Sequence, residues 1–174
     1  MMYRPHSGFT LVETLVAIAV LMITIVGPLY SVNRALQNSY VARDQLIASA
    51  LGQEGAEYIR GVRDGNYLYN IANPSTPVNW LNGLANCRTG NICTVDPTGN
   101  TPIAICPSGV CTPLNMSSAG LYTQASGYPA TRFTRSVQIA DVSATEITIT
   151  VTVAWMTGRV PYSVVIVEHL TNWL

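Results

Sequence analysis

The sequence contains no lysine, only two phenylalanines and two histidines, and charged residues make up 10% of its 174 positions. Soluble domains usually carry ~25% charged residues, so a disordered polyelectrolyte is excluded. The nine cations are all arginine and are balanced by nine acids, a zero net charge. That balance argues against a strongly basic nucleic-acid binder. The chain also lacks a nucleophile motif, a glycine-rich phosphate loop and a cluster of His, Asp and Glu ligands. No enzyme activity, cofactor or metal site is therefore expected. What remains is a protein with an unusually bare surface, or one with a segment in a membrane.

The positions of the charges decide between these. Residues 9–30 hold one charge, Glu13; residues 31–72 hold eight, residues 73–130 two and residues 131–174 six. From Phe9 to Tyr30 the chain reads FTLVETLVAIAVLMITIVGPLY, 22 residues with a single ionisable side chain. As a helix this covers ~33 Å, enough for a hydrocarbon core of ~30 Å. A secretory signal has a shorter apolar region, ~7–15 residues, closed by a small-x-small site. Ser31-Val32-Asn33-Arg34 offers none, and few globular helices stay apolar on every face for this length. A transmembrane helix over residues 9–30 is expected, with a kink or local melt at Gly27 and Pro28 because proline removes a backbone donor. Arg4 and His6 precede the span while Arg34 and Arg43 follow it, so the positive-inside count leaves orientation open.

Glu13 lies one turn into this run. A carboxylate inside a span costs on the order of 3 kcal/mol unless it snorkels to the interface, so it marks a functional hypothesis. Its surroundings, His6-Ser7-Gly8-Phe9-Thr10-Leu11-Val12-Glu13, resemble the N-terminal processing and assembly motif of type IV prepilins and pseudopilins. The resemblance implies a leader peptide, residues 1–8, removed after Gly8 by a membrane aspartic protease, and N-methylation of Phe9. It implies that Glu13, fifth in the mature chain, pairs with the Phe9 amine of a neighbouring subunit during filament assembly. The leader departs from the usual pattern in having one Arg, one His and no Lys.

Beyond the span, Leu36, Tyr40, Ile47, Leu51, Tyr58 and Val62 recur at steps of four and seven, the stripe of an amphipathic helix. Residues 31–66 are expected to continue the helix into the exported half, with Gly65-Asn66 as its stop. Glu57 with Arg60 and Arg60 with Asp64 are spaced for helical ion pairs. Residues 67–130 read as an irregular loop, since residues 73–130 hold seven of ten prolines and all four cysteines. Cys87, Cys93, Cys106 and Cys111 lack zinc-like spacing and nearby histidines. An even count beyond an export-type anchor favours disulfides, which require an oxidising compartment and so place the N-terminus in the cytoplasm. Of the three possible pairings, Cys87–Cys93 with Cys106–Cys111 is favoured because each closes a small loop.

Residues 131–174 carry the β signal. Ile147, Ile149, Val151, Val153 and Trp155 alternate with Thr148, Thr150, Thr152 and Ala154, one buried face and one wet. Arg132–Ile139 alternates with Phe133, Val137 and Ile139 on one side, and Tyr162–Glu168 is a third strand after the turn at Thr157-Gly158-Arg159. The expected fold is α+β and pilin-like: a long N-terminal helix packed on a C-terminal antiparallel β-sheet. The strand ending in Trp155 and the continuation to Trp173 are similar to minor-pilin C-termini.

The leading reading is a filament subunit, most like a minor pilin, in a single-pass inner-membrane protein with an exported domain. Its expected partners are other pilin subunits, the prepilin peptidase and methylase, an inner-membrane assembly platform and the bilayer. Alternatives are a type II secretion pseudopilin and a membrane-anchored adhesin or DNA-uptake module. Arg88, Arg132 and Arg135 alone are a thin footprint for phosphate, which argues against nucleic acid as a partner. Trp80, Tyr122 and Tyr128 are candidate aromatic contacts, and His169 is expected at a surface or strand end.

Overall fold

A computed structural model describes residues 8–99 and 101–172. Arg4, His6 and Ser7 of the leader, and Trp173, lie outside the described residues. The chain divides into two compact units, residues 1–43 and 44–174. Helix α1 (Leu11–Ala72) belongs to both. In the first unit it exposes every described residue from Leu11 to Tyr40, and it is long and apolar enough to cross a membrane. It stays helical through Gly27 and Pro28, so no local melt forms there.

The second unit is built on a five-stranded sheet. Its strands are β1 (Cys93–Val95), β2 (Ile103–Ile105), β5 (Thr134–Ser143), β6 (Glu146–Thr157) and β7 (Val160–Thr171), in the order β2-β1-β5-β6-β7 with antiparallel neighbours. A separate pair joins β3 (Asn115–Met116) to β4 (Tyr122–Thr123). The C-terminal three strands form the expected meander, with Val137 opposite Val151 and Val151 opposite Ile166. Gly158 (φ +64°) lets the two-residue turn between β6 and β7 take a left-handed conformation that side chains resist. The loop reading of 67–130 misses β1 and β2: three-residue strands are too short to show a period.

The alternation on β6 is realised. Ile147, Ile149, Val151, Val153 and Trp155 are all buried, while the intervening threonines are half-exposed. Two apolar clusters result, one around Ile59, Leu84, Ile139 and Ile149, the other around Ala48, Leu51, Phe133 and Trp155. Each fully buried Ile or Val contributes ~1.5–3 kcal/mol.

The helix face differs from expectation. The buried residues of α1 are Asp44, Ala48, Leu51, Gly52, Gly55, Ala56 and Ile59. This stripe is turned by roughly 80° from Leu36–Val62, at 3.6 residues per turn. Small residues win because the sheet lies close: a Cβ on Gly52 would sit 2.8 Å from Ile166 Cδ1, and one on Gly55 3.1 Å from Val151 Cγ1. Leu51 serves both stripes, whereas Leu36 and Tyr40 are exposed and Ile47, Tyr58 and Val62 half-buried.

The helix also runs past Gly65-Asn66 to Ala72. Asn66 Nδ2 donates to the carbonyls of Trp80 and Asn82, and Asn70 exchanges two hydrogen bonds with Val78. These asparagines satisfy the returning chain, which offsets their weak helix preference. The stop falls at Asn73, before Pro74, where a following proline disfavours helical backbone.

Candidate assembly site in the N-terminal helix

Gly8 and Phe9 precede α1, and both are exposed. Thr10 opens the helix: its carbonyl accepts from the N–H groups of Glu13 (3.1 Å) and Thr14 (3.2 Å), and its Oγ1 also accepts from Glu13 N (3.3 Å). Thr10 is thus an N-cap and Glu13 the third helical residue, the T-x-x-E spacing of a capping box. The sequence reading gave Thr10 no role, although that spacing was its signal. An acid in the first turn also complements the partial positive charge of the helix N-terminus. Among the described residues, however, the Glu13 carboxylate accepts no hydrogen bond and makes no ion pair. It stands on an apolar helix whose flanking side chains, Val12, Leu15 and Val16, are themselves exposed.

The four cysteines are paired as Cys87–Cys93 and Cys106–Cys111, with Cα separations of 4.9 and 4.6 Å. The first pair ties β1 to the 3₁₀ turn Ala85–Cys87, and Cys93 faces Val137 across the β1–β5 ladder. Behind β1, Asp96 is buried. Its Oδ1 accepts from Thr98 N and Oγ1, and its Oδ2 from Thr123 Oγ1 (2.7 Å) and Gln124 N (2.6 Å). Burial pushes this carboxyl up, but the donors from Gln124, Thr123 and Thr98 outweigh it, and the net shift is below the ordinary value. Asp96 therefore fastens the 96–98 turn to β4.

The arginines weighed as phosphate contacts are engaged elsewhere. Arg88 pairs with Asp141 (2.8 Å) and Arg132 with Asp44 (2.8 Å). Arg135 is fully buried, with Nη1 on Glu54 Oε2 (2.6 Å) and Leu51 O (3.0 Å) and Nη2 on Val95 O. Its Nε has no partner among the described residues. The three cations thus fail to converge into a phosphate site, because each neutralises a carboxylate of the fold.

Trp80, Tyr122 and Tyr128 are likewise dispersed. Trp80 packs on the first core cluster, Tyr122 meets Phe133 edge-on at 6.0 Å, and Tyr128 is exposed in a turn. His169 sits on β7 and reaches Glu146 (3.0 Å). Among the described residues no group of three or more His, Cys, Asp and Glu is placed to hold a metal ion.

Residues 3–27 match the model of the prokaryotic N-terminal methylation motif, the signature of type IV prepilins and pseudopilins. The match ends at Gly27, before the second unit begins. No curated protein and no solved structure matches this chain. The motif and the helix that carries it support anchoring by one membrane helix in a type IV pilin- or pseudopilin-like protein.

Proposed function

We propose that the chain is a structural subunit of a type IV pilus-like filament. In this reading a prepilin peptidase cuts after Gly8, the new Phe9 amine is methylated, and the mature chain waits in the inner membrane. Its N-terminus faces the cytoplasm and its disulfide-bonded part is exported, where an oxidising compartment keeps both bridges closed. An assembly platform then transfers it into a filament of pilin subunits, at the cell surface or across the periplasm. The subunit works by binding its neighbours, not by catalysis.

One observation carries this reading: within residues that match the methylation motif, Glu13 is exposed on an apolar helix and its carboxylate has no partner among the described residues. In hydrocarbon such a carboxylate costs on the order of 3 kcal/mol. A neighbour's ammonium at Phe9 offsets much of that cost, which breaking the pair would restore. The bilayer thereby favours association over the lone subunit. The same pairing serves an extruded pilus and a short secretion pseudopilus.

The test is Glu13→Ala in a host that makes filaments. The variant is expected to be cleaved and folded like its parent yet depleted from the sheared filament fraction. Equal recovery in filaments would remove Glu13 from assembly and sink the proposal.

A further inference from the structure

Within the second unit, the stretch of α1 from Ile47 to Val62 forms the floor of a groove walled by Pro97, Thr98, Leu121 and Tyr122. It holds two hollows, of about 380 and 540 Å³, and Glu54 lines both. Leu121 is 54% exposed on the wall. Two charged residues line the groove, Glu54 and Glu57, and Glu57 is already paired to Arg60 at 2.5 Å. Glu54 Oε2 accepts from Arg135 Nη1, while its Oε1 accepts no hydrogen bond among the described residues. An apolar groove with one exposed carboxylate oxygen at its middle fits an apolar helix face that carries one cation.

The same sequence contains such a face. From Thr14 to Arg43 it has no Asp or Glu. Leu36, Tyr40 and Arg43 follow at steps of four and three, which places them on one side of α1. Leu36 and Tyr40 are 52% and 60% exposed, and Arg43 has no ion-pair partner among the described residues.

Resting on the filament reading above, we propose that the groove receives the Leu36–Arg43 face of a second copy's α1, with Arg43 pairing to the free oxygen of Glu54. Two copies anchored in one membrane run parallel. Setting Arg43 opposite Glu54 offsets them by eleven residues, three turns or about 16 Å. Whole turns preserve the facing sides, so Tyr40 falls opposite Leu51 and Leu36 opposite Ile47, at the smaller hollow.

The test is photocrosslinking of the full chain in membranes and filaments, with Ala50 or Leu121 replaced by benzoylphenylalanine. The expected result is an adduct between two copies, mapped by mass spectrometry to the peptide spanning Leu36 to Arg43. Arg43→Glu and Tyr40→Asp should each lower its yield about tenfold. Both positions are exposed, and an unchanged melting temperature would establish that the fold is intact. An adduct elsewhere in the chain or on another protein, a yield insensitive to both variants, or no adduct from either position in assembled filaments overturns the groove contact and leaves the filament reading standing. A chain that stays monomeric overturns both.

Discussion

Arg135 and Glu54 meet at 2.6 Å across the helix–sheet interface, the arginine side chain wholly buried and the glutamate 42% exposed. The asymmetry sets what each contributes. Removing the arginine side chain empties core volume and strips Leu51 O and Val95 O of a donor. Arg135→Ala should therefore cost about 3 kcal/mol or more. Glu54→Gln keeps the shape, and solvent already screens that carboxylate, so the cost should be about 1 kcal/mol. Thermal unfolding of both variants in detergent gives the order; a larger loss at Glu54 would show that the ion pair, not the packing, dominates.

Arg135 also shows where the sequence stops being readable. Phe133, Val137 and Ile139 announce a buried face of β5, and period two puts Arg135 on that same face. Composition alone argues for a solvated arginine, since an unpaired one is rarely buried. Its partners, Glu54 and the carbonyls of Leu51 and Val95, lie 81, 84 and 40 residues away. No local pattern reports them. By contrast, the methylation motif, the apolar run and the alternation of β6 are local in the chain, and each is legible. The helix stripe was misplaced for a related reason: Gly52 and Gly55 carry no apolar signal, and only the approach of Val151 and Ile166 shows that their emptiness is used.

That approach separates two glycines on one helix. A Cβ at Gly55 would press on Val151 Cγ1 and Arg135 Cδ, at 3.1 and 3.3 Å, whereas one at Gly65 meets nothing within 4 Å. Gly65→Ala should stabilise the chain by about 0.5–1 kcal/mol through helix propensity. Gly55→Val should destabilise it by about 1–3 kcal/mol through overpacking. Melting temperatures moving in the same direction for both would refute the close helix–sheet contact.

Asp96 sets a pH dependence. Its folded pKa lies below the ordinary 3.8, so the stability it adds is present above about pH 4 and is lost as pH falls through the folded value. The unfolded state binds the proton first, and acid therefore favours unfolding. Asp96→Asn should be less stable than the parent at pH 7, with the gap closing below pH ~4. Denaturation across that range measures it. A gap that widens in acid would mean the carboxyl is held protonated.

The disulfides act on the unfolded chain. Cys87–Cys93 and Cys106–Cys111 span 6 and 5 positions, and loops of that size restrict the denatured ensemble by about 2 kcal/mol each. Replacing both cysteines of either pair by alanine should lower stability by roughly that amount. The Cys87–Cys93 variant should cost more, because Cys93 lies in the sheet and both cysteines pack in the first core cluster, whereas Cys106 and Cys111 are buried outside both clusters. Equal losses from the two pairs would show that packing in the core cluster adds nothing to loop closure.

In the filament reading, processing would separate residues 1–8 from the helix they precede. Gly8 has no side chain, and a Cβ there would meet nothing within 4 Å among the described residues, which place no demand on glycine at this position. If a peptidase does, Gly8→Val should leave the unfolding temperature unchanged and block cleavage. Intact-mass analysis should then find the variant full length and the parent shortened by residues 1–8 with one methyl group gained. The retained leader would leave Phe9 without the free amine that the proposed pairing with a neighbour's Glu13 needs, so the variant should also be missing from filaments. A variant that is cleaved as efficiently as its parent would show that Gly8 does not direct the cut.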